Sequence, residues 1–225
     1  MYWLACVRAD RSQPRVTGMS EPDRRSNTEL TTIERIRDAA LRGFAVHGVA
    51  ATSLRAVASG AGVSLGLVQH HFATKSGLVK AVDDYVIDVV ITPLARPLQE
   101  PPADSITEIG SRVTRIIADE PDVAGYVGRA LVDGSQLGAT IFDALIEVGL
   151  SRWQQRADRG EIRADVDLTW AAINALVLAL GAVSLRAHLD RHLPEPFTTP
   201  AQVERWQHAT DSLLRQGLLR RAGGD

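Results

Sequence analysis

Cysteine is nearly absent. Cys6 is the single thiol in 225 residues, which excludes an intrachain disulfide and any Cys-based zinc site and points to a reducing, cytoplasmic setting. Strands are missing too, since no run of alternating β-branched residues stands out. Without a strand ahead of a serine there is no nucleophile elbow, and no phosphate-binding glycine loop is present, so no enzyme and no cofactor is expected. Tyr2–Val7 is too short for the apolar segment of a signal peptide and has no basic residues before it. There is no internal repeat and no low-complexity tract.

Long charge-free runs are equally scarce, with one exception, residues 168–185 (LTWAAINALVLALGAVSL). Weighed as a membrane span, it is diluted by Thr169, Asn174, Gly181 and Ser184 and lacks aromatic and basic flanks at both ends. A buried helix at a subunit interface accounts for it better, and no membrane partner is expected.

The net charge of −2 hides an asymmetry. Residues 31–80 hold Arg35, Arg37, Arg42, Arg55, Lys75 and Lys80 against Glu34 and Asp38, whereas residues 81–225 are acidic on balance. A basic head on an acidic body suits a nucleic-acid-binding unit attached to a sensing or oligomerising one.

Residues 1–28 have no apolar period and read as a disordered tail; Met19 is an alternative start. From Thr31 on, helix follows helix. Ile33, Ile36, Ala40, Leu41 and Phe44 recur at helical spacing up to His47-Gly48. Thr52-Ser53 opens a short second helix, Gly60–Gly62 interrupts it, and Ser64 caps a third that reaches Phe72. Thr74 caps a long fourth helix ending near Pro93–Pro97, and further helices are expected at about 103–118, 121–133, 136–159, 166–190 and 200–219. The fold class is therefore all-α, with a helix-turn-helix head over 29–89 and a helical regulatory and dimerisation body over 90–221.

Two short helices joined by a glycine-containing turn are a DNA-reading unit. Ala58 is small where the helices approach, Gly62 can take positive φ, and Val57, Val63 and Val68 supply a shared apolar wedge. On the third helix, Leu65, Gly66, Gln69, His70 and Ala73 share one arc, opposite Leu67, Val68, His71 and Phe72. Gln69 can pair with adenine, Leu65 can touch a thymine methyl, His70 can donate to guanine, and Gly66 allows close approach. Phosphate donors are expected at three helix starts, from Thr31, Thr52, Ser53, Thr74 and Lys75, with His71 as a further ligand. The bland alternative is a three-helix domain whose turn is only a turn. Adjacent His70 and His71 point about 100° apart and cannot share a metal, and no metal is expected at His188 and His192, which stand among charged residues at a helix end.

The stretch TSLRAVASGAGVSLGLVQHHFATKSGLVKAV, residues 52–82, resembles the TetR/AcrR family of bacterial transcriptional regulators. Gly62-Val63-Ser64, Gly66, His70, Phe72, Thr74-Lys75 and Leu78 stand in register with the family pattern, and Ala39-Ala40, Phe44 and Gly48 look like its first helix. The resemblance implies a homodimer on a palindromic operator in double-stranded DNA, most often a repressor, released when a small-molecule inducer moves the fourth helix. The alternative is a dimeric regulator without an inducer. Leu65, Gln69, His71 and Ala73 depart from the family pattern, the last replacing a frequent proline, which bears on base preference.

In the body, Leu176 and Leu180 with Val203, Trp206, Thr210, Leu213 and Leu214 repeat at three- and four-residue steps and are expected to form the dimer interface, unless they only complete the monomer core. A pocket for an apolar or aromatic inducer would draw on Tyr126, Arg129, Trp153, Trp170 and Asn174, with Phe142 also a candidate; ordinary packing is the alternative for each.

Overall fold

The computed structural model describes residues 21–97 and 105–219, with side chains from residue 32. Among the described residues there are ten helices: α1 (Glu21–His47), α2 (Leu54–Ala61), α3 (Leu65–Phe72), α4 (Lys75–Ala95), α5 (Ser105–Asp119), α6 (Pro121–Val132), α7 (Gln136–Asp158), α8 (Leu168–Ser184), α9 (Arg186–Leu189) and α10 (Pro200–Leu218). One isolated antiparallel bridge, Ile162 to Leu219, is the nearest thing to a sheet.

The ends of these helices follow from side chains that satisfy free N–H groups. Ser53, Ser64, Thr74, Ser135 and Asp167 each accept a hydrogen bond from the first turn of the helix they open. Two boundaries differ from the sequence reading. Helix α1 begins at Glu21, inside the stretch read as tail, and residues 1–20 lie outside the described region. The helix expected over 166–190 breaks at Leu185 into α8 and α9. Beyond that break Asp190 accepts a hydrogen bond from the Phe197 N–H at 2.6 Å, folding the chain back toward α10.

The main core is continuous through α1, α2, α3, α4, α6 and α7. Its spine is α4, whose Leu78, Val82, Val86, Val90 and Leu94 are all buried. Because these residues recur every fourth position, one helix packs against the small head at its start and the body at its end. Head and body thus share a core across the expected boundary at 89–90. Two smaller clusters complete the body, one around Trp153 and Ile162 and one around Phe197 and Val203.

No helix among the described residues is long and apolar enough to cross a membrane. Helix α8 is apolar on every side for a different reason. Its small residues Ala171, Ala172 and Ala182 are buried, one flank lines a cavity, and Trp170, Val177 and Leu178 stand exposed.

Candidate nucleic-acid interface

The turn between α2 and α3 is held from both sides. Gly62 takes φ +66° and closes α2, a conformation that costs glycine little and other residues more. Ser64 then opens α3, its Oγ accepting the Leu67 N–H at 3.1 Å. From α1, the Arg35 guanidinium donates to the carbonyls of Ala61 at 2.8 Å and Gly62 at 3.2 Å. Val57, Ala58 and Val68 are buried between the helices as their spacing required, with Val63 packed at the edge.

Residues Gly62-Val63-Ser64-Leu65-Gly66 have the lettering of a nucleophile elbow, but an elbow needs a strand before the serine. A helix precedes Ser64, and its oxygen is occupied as a cap. Nothing catalytic is assembled there.

On α3 the expected exposed arc is present: Gly66, Gln69, His70 and Ala73 face outward. Leu65 is half-buried against the core, so only part of its side chain remains for a thymine methyl. The His70 and His71 rings meet edge to face, 5.2 Å between centroids, and His71 is half-buried. Among the described residues no group of three metal-ligating side chains is assembled. His192 lies beyond α9, off the helix that carries His188.

The phosphate donors divide. Ser53 and Thr74 are exposed caps at the starts of α2 and α4, and Lys75 reaches from α4 to the Ala50 carbonyl at 3.2 Å, leaving further N–H donors on its ammonium. Thr52 does not belong with them. Its side chain is buried, donates to the Gly48 carbonyl at 2.9 Å and sits against Gly43, so only its backbone is available to a phosphate. Thr31 does not stand at a helix start: α1 begins ten residues earlier at Glu21, so the Thr31 backbone N–H is inside the helix, and its side chain lies outside the described residues. Arg55, exposed on the first turn of α2 beside Ser53, was counted only as charge in the sequence; its place next to a capping serine was the signal. Of the other basic residues, Arg35 is committed to the turn, Arg37 to Asp38 and the Tyr85 ring, and Lys80 to Asp84.

Ala73, after α3, has φ +53° and ψ −52°, with the Thr74 N–H bonded back to the Phe72 carbonyl at 2.5 Å. This is the strained hand of the γ-turn. Proline, held near φ of about −65°, cannot take it, which accounts for alanine at a position where the resemblance leads one to expect proline.

A half-open cavity of about 210 Å³ lies between α4, α5, α6, α7, α8 and α10. Its walls are largely aliphatic, and of the expected pocket residues only Trp153 lines it. Asn174 and Trp170 are on the opposite, exposed face of α8, and Phe142 is off the cavity. Tyr126 and Arg129 point from α6 toward the head. The Tyr126 hydroxyl donates to Asp83 at 2.8 Å and its ring lies 5.8 Å from Phe44, while Arg129 donates to the Ala45 and Val46 carbonyls, satisfying the end of α1. These two residues tie body to head.

The expected interface residues are also redistributed. Leu176, Leu180, Trp206, Thr210 and Leu214 line the cavity, and Val203 is fully buried beside Phe197. Only Leu213 of that set is well exposed. Spacing identified an apolar face on each helix but could not say that it turns inward. What the sequence reading missed is the charge in the cavity wall: Arg152 and Arg156 continue the α7 stripe of Leu145, Val148 and Gly149, and Asp211 faces them from α10. Arginine on an otherwise apolar helical stripe was the legible signal.

Asp83 supplies a testable pH dependence. Burial pushes its carboxyl above the usual range, partly offset by the Tyr126 hydrogen bond. The folded state therefore binds this proton more readily than the unfolded state. The resulting stability is present below the unfolded pKa of about 3.9 and is lost as pH rises through the folded value. Asp83→Asn should flatten the wild-type loss of stability that sets in as pH rises above about 4, read as the difference in denaturant midpoints. An unchanged pH slope would count against this account. Tyr126→Phe, which strips the half-buried carboxyl of its donor, should cost about 1–3 kcal/mol.

A capped helix-turn-helix with an exposed third-helix arc is set on a larger helical body that holds a cavity. The family described as "Bacterial regulatory proteins, tetR family" matches residues 36–82, most of that head. It is 35% identical over 121 residues to the HTH-type transcriptional regulatory protein RaaS of Mycobacterium tuberculosis, covering 54% of this chain and 55% of the relative. Against the HTH-type transcriptional repressor Rv3405c of the same organism it is 41% identical over 104 residues, 46% of this chain and 48% of the other. The chain thus spans about half the length of the curated relatives it matches. The fold is similar to that of SmeT, the repressor of the Stenotrophomonas maltophilia multidrug efflux pump SmeDEF, with TM-score 0.64 and 19% identity over 84% of this chain and 91% of that one.

Proposed function

We propose that this protein is a cytoplasmic, dimeric repressor that binds a palindromic operator in double-stranded DNA and is released by a small apolar ligand. The observation that carries the reading is the exposed arc of α3, Gly66, Gln69 and His70, beside exposed caps at Ser53 and Thr74. In this reading Leu65, Gly66, Gln69 and His70 face base edges, while Ser53, Thr74, Lys75, His71, Arg55 and the backbone N–H at Thr52 hold phosphates. The dimer forms through the exposed side of α8 and α10, and the cavity receives the inducer.

The test begins with DNA selected from a random pool by the full chain, followed by binding to the selected site and to single-base variants of it. Gln69→Ala should cost about 1–3 kcal/mol at one operator position and relax the preference there. Lys75→Ala should weaken all sequences alike and lower the salt slope by about one. Indistinguishable effects from the two would overturn the division of roles, and a selection that yields no palindrome would overturn the dimeric reading.

A further inference from the structure

Building on the reading of the cavity as a ligand site, we infer that its ligand is an apolar molecule carrying one carboxylate or similarly anionic group, and that Arg152 is its anchor.

The Arg152 guanidinium stands half-buried in the wall of a mostly aliphatic cavity. Among the described residues its hydrogen bonds run from Nη2 alone, to the carbonyls of Leu94 and Arg96 at the end of α4, and no carboxylate pairs with it. Nε and Nη1 keep their N–H donors. The neighbouring charges are already matched. Arg112 pairs with Glu108 and donates to the Pro93, Arg96 and Pro97 carbonyls, and Arg156 pairs with Glu161 at 2.8 Å. Burial and, after it, the charge of Arg112 hold Arg152 below the usual arginine range, partly offset by the Glu108 carboxylate nearby. Arg112 and Arg152 therefore share the one carboxylate of Glu108 beside an apolar space, leaving an excess positive charge there, where an anion gains most from a charge-assisted bond.

The opposite wall does not offer the reverse chemistry equally. Asp211 accepts from Thr107 at 3.2 Å, and burial raises its carboxyl toward the neutral form. Asp211 thus already commits acceptor capacity to Thr107, whereas Nε and Nη1 of Arg152 keep their donors free for a ligand.

A regulatory consequence follows from the shape of the guanidinium. Each of its two forks includes Nη2, the atom that holds the end of α4. A carboxylate bound by two donors must take Nη2 from the α4 carbonyls, so ligand binding competes with the clamp on the helix whose other end supports the head.

The experiment is calorimetric titration of the full chain with decanoate, decan-1-ol and decylamine below their micelle concentrations. Decanoate should bind roughly 10- to 100-fold more tightly than the alcohol, with the amine weakest. In Arg152→Met the preference for decanoate over the alcohol should vanish, and in Arg152→Lys part of it should remain. Equal binding of all three, or an amine that leads, would overturn the anionic ligand while leaving the cavity as a ligand site. Binding of none would overturn both. Should Arg152→Met fail to fold, the series on the unaltered protein still decides.

Discussion

Phe44→Ala should lower stability by about 3–5 kcal/mol, a large share of the ~5–15 kcal/mol typical of a folded domain. Phe44 is fully buried, and its ring packs against Tyr126 where α1 meets α6. The truncation removes apolar area and leaves a void the surrounding helices can fill only in part. Since the main core runs without interruption from α2 and α3 through α4 to α7, head and body should unfold together. A thermal melt followed by circular dichroism should therefore show one transition at lower temperature. Two transitions, with the body's midpoint unmoved, would mean that the shared core does not couple the two parts.

The second large effect concerns assembly. Trp170 is 60% exposed and Leu213 63%, and Val177 and Leu178 extend the same open side of α8. Among the described residues these large apolar side chains stand open to solvent, the kind of surface that a dimer of the proposed type would cover. The double variant Trp170→Glu and Leu213→Glu should sediment as a folded monomer, with affinity for a palindromic site reduced roughly 100-fold or more, because the second half-site no longer acts at high effective concentration. A dimer unaffected by both charges would place the interface elsewhere. Trp206→Glu is a poorer probe: Trp206 lines the cavity and meets Phe197 edge to face at 5.9 Å, so a charge there would damage the body.

Much of the head was legible before any coordinates. Ser53, Ser64 and Thr74 cap as their residue types and positions require, Gly62 takes the positive φ, and the exposed arc of α3 follows from helical periodicity. These features are local, set within a few residues of chain, so periodicity and capping chemistry reach them. Thr52 escaped because a threonine at a helix start has two uses, and only its contact with Gly43 and Gly48 selects the inward one.

The body was legible only as a set of helices. Asn174, a candidate for the pocket, faces outward. Leu176, Leu180, Trp206, Thr210 and Leu214, chosen as an interface, look into the cavity. Helix α8 is apolar on every side, so its pattern carries no direction. Arg129 and Tyr126 acquire their roles from the end of α1 and from Asp83, residues distant in sequence.

By itself, then, the sequence determined the order of the helices, the caps within the head, the exposed arc of α3 and the all-α class, because each depends on hydrogen bonds and spacing within one or two turns. Only the tertiary structure decided which apolar face of α8 and α10 lines a cavity and which lies open, and that Arg112 and Arg152 converge on the end of α4. Those outcomes depend on the rotation of each helix against its neighbours. That rotation is set by the summed fit of many side chains from separate parts of the chain, and no single helix records it.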